Sequence, residues 1–516
     1  MKSEDSQPGD LFDETAGDLR SLAKGGALQI AGQFTSRGLA FVFIAVVSRL
    51  LGPAGYGQYR QVAQILNIGG MIAPGGFNYG AVRFITKARA QKDHPGVRGA
   101  AHVAMAGALA VSLLEFGIIL VAAEPLARAF GDSQTGIDEI GDLLRLGAAF
   151  VPFFALMQVL RYCTLAYKTM VPSVISNNIV LPVSRFVIGA TAVILGFGLA
   201  GAVVGLVASA ILGMLVAAWF YRRMLTLAER KAKPRHAVGP MIRFAIPQAG
   251  VGIFSVQSLG LGIIILGILG TDRDVGLFGI ALSLQGAGTV FLTGIVAIWA
   301  PIVTDLYERN ELAQLESLYR TVNRWIATFS FPIFAALILE PDFFVGVLAG
   351  SRAVDAASLV AILAVGNLIF VGTGPSSLLL SMTGRPGINF ANSIVAVAAY
   401  VVLGLLLVPA YGAIGIALVD ALVTGAVNIV RVIQGKLLIG IHPFGRSFMK
   451  PVVATGAASA VVLLLGFAFG EQPALEAFAM AAGGLVYLVV LWRMGIDAEE
   501  RHVYERIKKR ILRRSP

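Results

Sequence analysis

Residues 199–221 read LAGAVVGLVASAILGMLVAAWFY, an apolar run that contains no charged side chain. About twenty consecutive apolar residues are enough for an α-helix to cross the hydrocarbon core of a bilayer. Within that core every backbone N–H and C=O must be paired inside the protein, which a helix achieves by itself. The run therefore predicts a membrane-spanning helix.

Similar runs recur along the 516-residue chain, which is 56% hydrophobic and only 14% charged, with a mean hydropathy of +0.77. A soluble domain has about 45–50% apolar and about 25% charged residues. The sequence therefore predicts an all-α polytopic membrane protein with about fourteen spans. These cover residues 26–49, 58–79, 99–122, 142–166, 173–197, 199–221, 242–269, 276–301, 322–339, 356–380, 388–408, 411–434, 450–469 and 474–492.

The distribution of Lys and Arg predicts the direction of these spans. Most of the 41 basic residues fall in the segments on the same side as both termini. Cytosolic segments of membrane proteins carry such an excess, so we expect both termini in the cytosol and the chain in the bacterial cytoplasmic membrane. The net charge of +11 is explained in the same way, and no nucleic-acid partner is expected. The basic tail either lies on anionic lipid or is simply solvated.

An internal repeat groups the spans. A shift of 214 residues superimposes two regions, and a slightly larger shift places residues 56–59 on residues 275–278. Parallel six-span repeats predict two pseudo-symmetric lobes, between which transporters bind their substrates. The aligned residues are Thr169, Pro172, Asn178 and 197–201 with Thr383, Pro386, Asn392 and 411–415. The predicted segments are 1–23 (cytosolic), 24–225 (first lobe), 226–240 (linker), 241–436 (second lobe), 437–494 (two appended spans) and 495–516 (basic tail).

Five arginines of the first lobe fall within predicted spans, and for Arg145 and Arg161, at the two ends of the fourth span, snorkelling is the preferred interpretation. Arg37 and Arg185 lie near mid-span, where a charge costs roughly 3 kcal/mol or more, and Arg60 lies near a span end. Snorkelling is an alternative for Arg60. We interpret Arg37, Arg60 and Arg185 as a cationic cavity for a phosphate or pyrophosphate group. Neighbouring amides could bind sugar hydroxyls or only join helices: Gln33, Gln64, Asn178 and Gln257.

The second lobe offers a candidate ion-coupling site. Asp420, Thr424 and Asn428 are spaced four apart and so share one helix face. Their oxygens could bind Na⁺, or Asp420 could carry a proton, or the aspartate could be structural. Pro247, near the start of the seventh span, is either a hinge or an ordinary helix-start proline. The sequence contains no catalytic constellation, no metal cluster and no nucleotide-binding loop, so we expect neither an enzyme nor a cofactor.

Three motifs carry a family resemblance. Residues 48–59 (SRLLGPAGYGQY), 243–247 (RFAIP) and 409–415 (PAYGAIG) resemble the polysaccharide-export branch of the multidrug/oligosaccharidyl-lipid/polysaccharide flippase superfamily. The resemblance covers nearly the whole chain. It implies the superfamily fold, which the multidrug (MATE) transporters share, and alternating access. It also implies the activity of the Wzx-type O-antigen flippases, which move polyprenyl-pyrophosphate-linked oligosaccharides to the outer leaflet for lipopolysaccharide and related surface polysaccharides.

The resemblance also defines the alternatives and the partners. The partners it implies are a polyprenyl-linked glycan lipid, membrane lipids and a polysaccharide polymerase or glycosyltransferases. A drug or metabolite antiporter is the first alternative, although such a protein would need acidic groups where this first lobe has arginines. A lipid II flippase is the second. Arg37 resembles an arginine of those flippases by position, but Phe43 stands where they generally carry another arginine.

Overall fold

A computed structural model describes residues 8–130, 134–167, 169–249, 259–469 and 473–495, and these ranges contain helices and no strands. Gln257 and the basic tail from residue 496 onward lie outside the described residues. The α-helices of these ranges, labelled in chain order, are α1 Pro8–Ile72, α2 Phe77–Ala90, α3 His94–Phe130, α4 Gln134–Gly147, α5 Phe150–Leu165, α6 Val171–Val174, α7 Leu181–Ser184, α8 Gly198–Met224, α9 Leu227–Lys231, α10 Val238–Ala249, α11 Leu261–Leu269, α12 Asp272–Glu308, α13 Leu312–Leu339, α14 Pro341–Ala349, α15 Ala356–Gly372, α16 Ser376–Met382, α17 Pro386–Ile439, α18 Met449–Phe469 and α19 Pro473–Arg493.

Ten helical stretches among the described residues are long and apolar enough to cross a membrane. Three of them, Ala31–Ala90, Val171–Met224 and Pro386–Ile439, contain 60, 54 and 54 residues. A straight helix of that length would reach about 80 Å or more, well over twice the hydrocarbon thickness. Each is broken by a glycine with a non-helical backbone, Gly52, Gly196 and Gly412 respectively. Each therefore supplies two spans, and the all-α polytopic fold is confirmed.

The backbone repeats where the sequence repeat predicts it. Gly198 has φ 55° and ψ −140°, and Gly412, the residue 214 positions later, has φ 53° and ψ −131°. Both dihedral pairs lie in a region that side chains with a Cβ avoid. Pro172 and Pro386, aligned by the same shift, each lie in the first turn of a helix, where a missing N–H is harmless. The two hairpins are thus built in the same way.

The chain divides into two compact units, residues 1–279 and 280–516. The boundary between these units lies after residue 279, whereas the sequence predicts a second lobe that begins at residue 241. The assignment of α10 and α11 to that second lobe stays a prediction. In the first unit, Asp272 at the start of α12 accepts hydrogen bonds from Gln58 (2.9 Å) and Gln61 (3.0 Å) of α1. Since a partly buried carboxylate benefits from such donors, this contact helps to fix the start of α12 against α1.

The second unit is held by buried polar contacts and by the appended pair of helices. Tyr319 and Asn323 of α13 donate to the backbone carbonyls of Thr373 (3.0 Å) and Gly372 (2.9 Å) at the end of α15. These donors satisfy carbonyls that a helix end leaves unpaired. Helix α19 joins the unit through the Tyr487 hydroxyl, which donates to the Thr328 carbonyl at 2.6 Å.

Candidate functional site

Arg60 and Arg185, predicted from separate spans, come together in the first unit. Tyr59 lies within electrostatic reach of both guanidinium groups. Its ring is 4% exposed and stacks with that of Tyr56, which is fully buried, at a centroid distance of 6.3 Å. Two cations separated by more than 120 residues in sequence therefore act on one buried phenol.

Neither guanidinium is fully satisfied. The buried Nε atoms of Arg60 and Arg185 have no hydrogen-bond partner in the part of the chain that the structure describes. An unpaired buried donor on a charged group is costly, so its presence favours a ligand role. Arg185 is also the first residue of a π-helical turn, Arg185–Ala190. Such turns are rare and frequently occur at functional sites.

Arg37 lies at a depth in the first unit similar to that of Arg185, as the packing of two helices shows. Helix α1 packs on the fifth span at two glycines: Gly32 faces Asn178, and Gly189 faces the ring of Phe43. Both contacts join positions 146 residues apart, so the two segments run parallel in register. That register puts Arg37 level with residue 183, within one turn of Arg185. Arg37 and Arg185 therefore lie at a similar depth along their two helices.

A buried aromatic layer underlies this region, and sequence reasoning missed it. The ring of Phe43, 4% exposed, lies 5.6 Å from that of Tyr59. This contact joins the two halves of α1 on either side of the break at Gly52. The signal in the sequence was the spacing of Tyr56 and Tyr59 directly before Arg60, since residues three apart share a helix face.

The predicted amides take different positions. Gln64 donates to the carbonyl of Leu259 at 3.1 Å, so its amide joins α1 to the segment before α11. Asn178 is 5% exposed and accepts from Asn177 at 2.7 Å, but its own NH₂ group has no partner among the described residues. Gln33 is half-buried one residue after Gly32. Sugar binding by these amides remains a prediction.

The candidate ion site lies in α17. Asp420 accepts a hydrogen bond of 3.2 Å from the hydroxyl of Tyr400, which is 1% exposed. The buried Asn428 donates to the Thr424 carbonyl at 2.8 Å, and its own carbonyl faces Arg431 at 3.4 Å. Asp420 thus has a neutral partner, whereas Asn428 is engaged within its own helix and with a cation.

Two further expectations concern the hinge and metals. Pro247 lies inside α10, two residues before that helix ends at Ala249. It removes one backbone donor from the helix, and its role as a hinge stays a prediction.

Within the described ranges, no three His, Cys, Asp or Glu side chains are grouped in a way that could hold a metal ion.

Comparison with known families identifies the class of protein. The family described as "Polysaccharide biosynthesis protein" matches residues 22–307, more than half of the chain. The chain therefore belongs to this family of multi-pass membrane proteins. It is 23% identical to stage V sporulation protein B of Bacillus subtilis (strain 168) over 533 residues, which cover 96% of this chain and 98% of that protein.

Solved structures with the same fold are transporters. The inward closed lipid II flippase MurJ matches with a TM-score of 0.74 and 12% identity, covering 90% of this chain and 98% of that one. An inward-facing multidrug resistance MATE family transporter of the MOP superfamily matches with a TM-score of 0.66 and 16% identity, covering 80% and 98%. At this identity the similarity establishes the fold: this chain has the all-α fold of the superfamily.

Proposed function

We propose that this protein is a flippase for a polyprenyl-phosphate- or polyprenyl-pyrophosphate-linked oligosaccharide. It would move this lipid from the cytosolic to the outer leaflet of the bacterial cytoplasmic membrane for cell-surface polysaccharide synthesis. The observation that carries the proposal is the pair of arginines, Arg60 and Arg185, at the buried ring of Tyr59. An arginine fork matches the oxygens of a phosphate group in both charge and geometry.

The physical problem that such a protein solves is the hydrocarbon barrier. A pyrophosphate and its sugars cannot cross about 30 Å of hydrocarbon without losing their hydration. In the proposed cycle the three arginines replace that hydration while the polyprenyl tail stays in the lipid. Alternating access would then expose the head group first to the cytosol and later to the outside. The cycle is transport and includes no catalytic step on the glycan.

Coupling to an ion gradient is part of the proposal. Asp420 is the candidate, with Tyr400 as its hydroxyl partner at 3.2 Å. A carboxylate beside a neutral hydroxyl can take up a proton or bind Na⁺ without first breaking a salt bridge. An aspartate paired with an arginine would lack that freedom.

The expected partners of the flippase are the glycosyltransferases that build the lipid-linked glycan before it is moved and a polymerase that consumes it afterwards.

Phe43 argues against lipid II as the substrate. Its ring is 4% exposed, lies 5.6 Å from that of Tyr59 and packs on Gly189. The position therefore serves helix packing and supplies no charge to the head group.

The deciding experiment replaces both arginines while keeping their length and polarity. We expect R60Q/R185Q to lower the flipping of a fluorescent polyprenyl-pyrophosphate disaccharide in proteoliposomes by at least about tenfold. Each lost charge-assisted hydrogen bond is worth roughly 1.5–3 kcal/mol. Export of the surface glycan should fall in cells that carry only this variant.

The matched control is R128Q/R145Q, which changes the net charge equally. Arg128 and Arg145 are exposed and pair with Glu124 and Asp142 on their own helices, so this variant should flip the lipid normally. Undiminished flipping by R60Q/R185Q would refute the cationic site. Drug resistance on overexpression, without any glycan defect on deletion, would instead identify an antiporter.

A further inference from the structure

The first unit contains a second basic feature that does not share residues with the three arginines described above. A cavity of about 570 Å³ opens where α3 begins and α8 ends, on the membrane face that carries the basic loops. None of the described residues that line it is an Asp or a Glu. It is lined by four arginines, one histidine and several apolar side chains, among them Arg98, Arg222, Arg223, Arg230, His102 and Trp219.

Hydrogen bonds to backbone carbonyls hold two of these arginines in place. Arg98 donates to the carbonyls of Arg230 (2.7 Å) and Ala232 (3.1 Å), and Arg230 donates to the carbonyl of Arg222. These contacts fasten α9 to the start of α3 and to the end of α8. No carboxylate pairs with any of the four arginines in the part of the chain that the structure describes. Four like charges are thus gathered without a counter-charge.

The nearest acid of α9 is already engaged. Glu229, 2% exposed, pairs with Arg89 at 3.3 Å and accepts from the hydroxyl of Tyr167 (3.2 Å) and the N–H of Thr226 (2.8 Å). Both of its oxygens therefore already have partners within the protein. The cavity keeps its positive charge, and an anion from outside the chain is the natural counter-charge.

The lipid-facing surface of α8 leads directly into this cavity. Leu212, Leu215 and Trp219 are 38%, 53% and 48% exposed. Their spacing of three and four residues forms one stripe on the helix, and the next step along it reaches Arg222 and Arg223 in the last turn. Arg223 lies over the Trp219 ring at 4.4 Å. Along α8, apolar residues are followed by a tryptophan and then by arginines. This order matches that of the acyl chain, the glycerol and the head group in a lipid.

We propose that this cavity binds the phosphate of an anionic glycerophospholipid. Arg222 and Arg223 would contact the phosphate oxygens, and the acyl chain would lie along Leu212 and Leu215. Arg98 and Arg230 shape the cavity and add to its potential. Inorganic phosphate or pyrophosphate offers the same oxygens, but it would have no use for the apolar stripe. The inference does not depend on the transported substrate.

The test is native mass spectrometry of the full-length protein, released from nanodiscs that contain phosphatidylglycerol in phosphatidylcholine. We expect the wild type to retain one phosphatidylglycerol in preference to phosphatidylcholine. R222Q/R223Q should retain about tenfold less, because two charge-assisted contacts are lost. The control R309Q/K436Q, two exposed basic residues outside the cavity with the same change in charge, should retain as much as the wild type. Equal retention by R222Q/R223Q and the wild type would overturn the proposal.

Two further measurements use wild-type protein only and so do not depend on the folding of a variant. A photoreactive phosphatidylglycerol should label peptides within residues 212–225, and labelling confined to other regions would contradict the site. Inorganic pyrophosphate added before release should leave the bound lipid in place. If pyrophosphate occupies the cavity and phosphatidylglycerol does not, the site is one for a soluble anion and the lipid assignment is wrong.

Discussion

Gly57 and Gly276 contact each other's helices in a reciprocal way. A methyl group on Gly57 would lie 1.8 Å from the carbonyl oxygen of Asp272, and one on Gly276 would lie 1.8 Å from that of Pro53. The two glycines are also the residues that the internal repeat aligns. The reciprocal contact is therefore the structural counterpart of the sequence repeat.

We expect G57A to destabilise the protein strongly. The added methyl group meets backbone, which cannot rotate away as a side chain can, and overpacking of a tight contact costs about 1–3 kcal/mol or more. Thermal unfolding in detergent measures the effect. G117A is the matched control, because Gly117 is a helical glycine with no atom within 4 Å of its added methyl group. A variant G57A as stable as G117A would contradict the close contact.

The glycines at the two hairpin breaks should respond alike to substitution. Nothing lies within 4 Å of a methyl group on Gly198 or on Gly412, and both have φ near +55°. G198A and G412A should therefore each lose about 1–3 kcal/mol through backbone strain alone. G456A, another glycine in open space, should lose none. Unequal losses at the two hairpins would show that they are not equivalent.

Introducing an arginine at position 43 should not create a lipid II flippase. F43R removes the ring contact with Tyr59 and adds a further positive charge to the arginine-rich region of the first unit. We expect lower thermal stability and reduced flipping of every pyrophosphate lipid. F43L, which keeps an apolar side chain, should retain most of both. Complementation of a lipid II flippase deletion by F43R would disprove the packing role of Phe43.

We expect the contacts of the loop carboxylate Glu229 with Arg89 and Tyr167 to weaken at acidic pH. Burial alone would raise its pKa, but hydrogen bonds from Thr226 and Tyr167 and the charge of Arg89 bring the pKa below its ordinary value of 4.5. A carboxylate with a lowered folded-state pKa stabilises the protein above pH 4.5, and that stability is lost as the pH falls through the folded-state pKa.

Unfolding curves of wild type and E229Q, recorded as a function of pH, measure this contribution. E229Q should be less stable at neutral pH by about 1–3 kcal/mol, the usual cost of an unpaired buried group. The difference between the two proteins should shrink below pH 4.5. A difference that stays constant down to acidic pH would exclude Glu229 as the titrating group.

Asp420 is the residue through which we expect an ion gradient to be coupled to lipid flipping. In D420N the asparagine carbonyl can still accept the hydrogen bond from Tyr400, but the negative charge is gone. Flipping should therefore lose its dependence on an imposed ion gradient. Y400F, which removes only the hydroxyl, should keep that dependence with a changed ion affinity. Vesicles with opposed Na⁺ and proton gradients separate the two ions. Unaltered gradient dependence in D420N would assign the aspartate a structural role.

The sequence predicted most of the fold because the bilayer restricts the choices. Runs such as residues 199–221 must be helices in lipid, and aligned glycines such as Gly198 and Gly412 marked the hairpins. Arginines within apolar spans were visible for the same reason, since a charge there is costly unless it has a use.

Only the tertiary structure decided how those residues are used. Arg60 and Arg185 belong to the second and fifth spans, yet both act electrostatically on Tyr59, and no spacing within one segment encodes that relationship. The amide of Gln64, by contrast, is already engaged with the Leu259 carbonyl. Local hydropathy sets which segments enter the membrane, whereas long-range packing sets which side chains face one another.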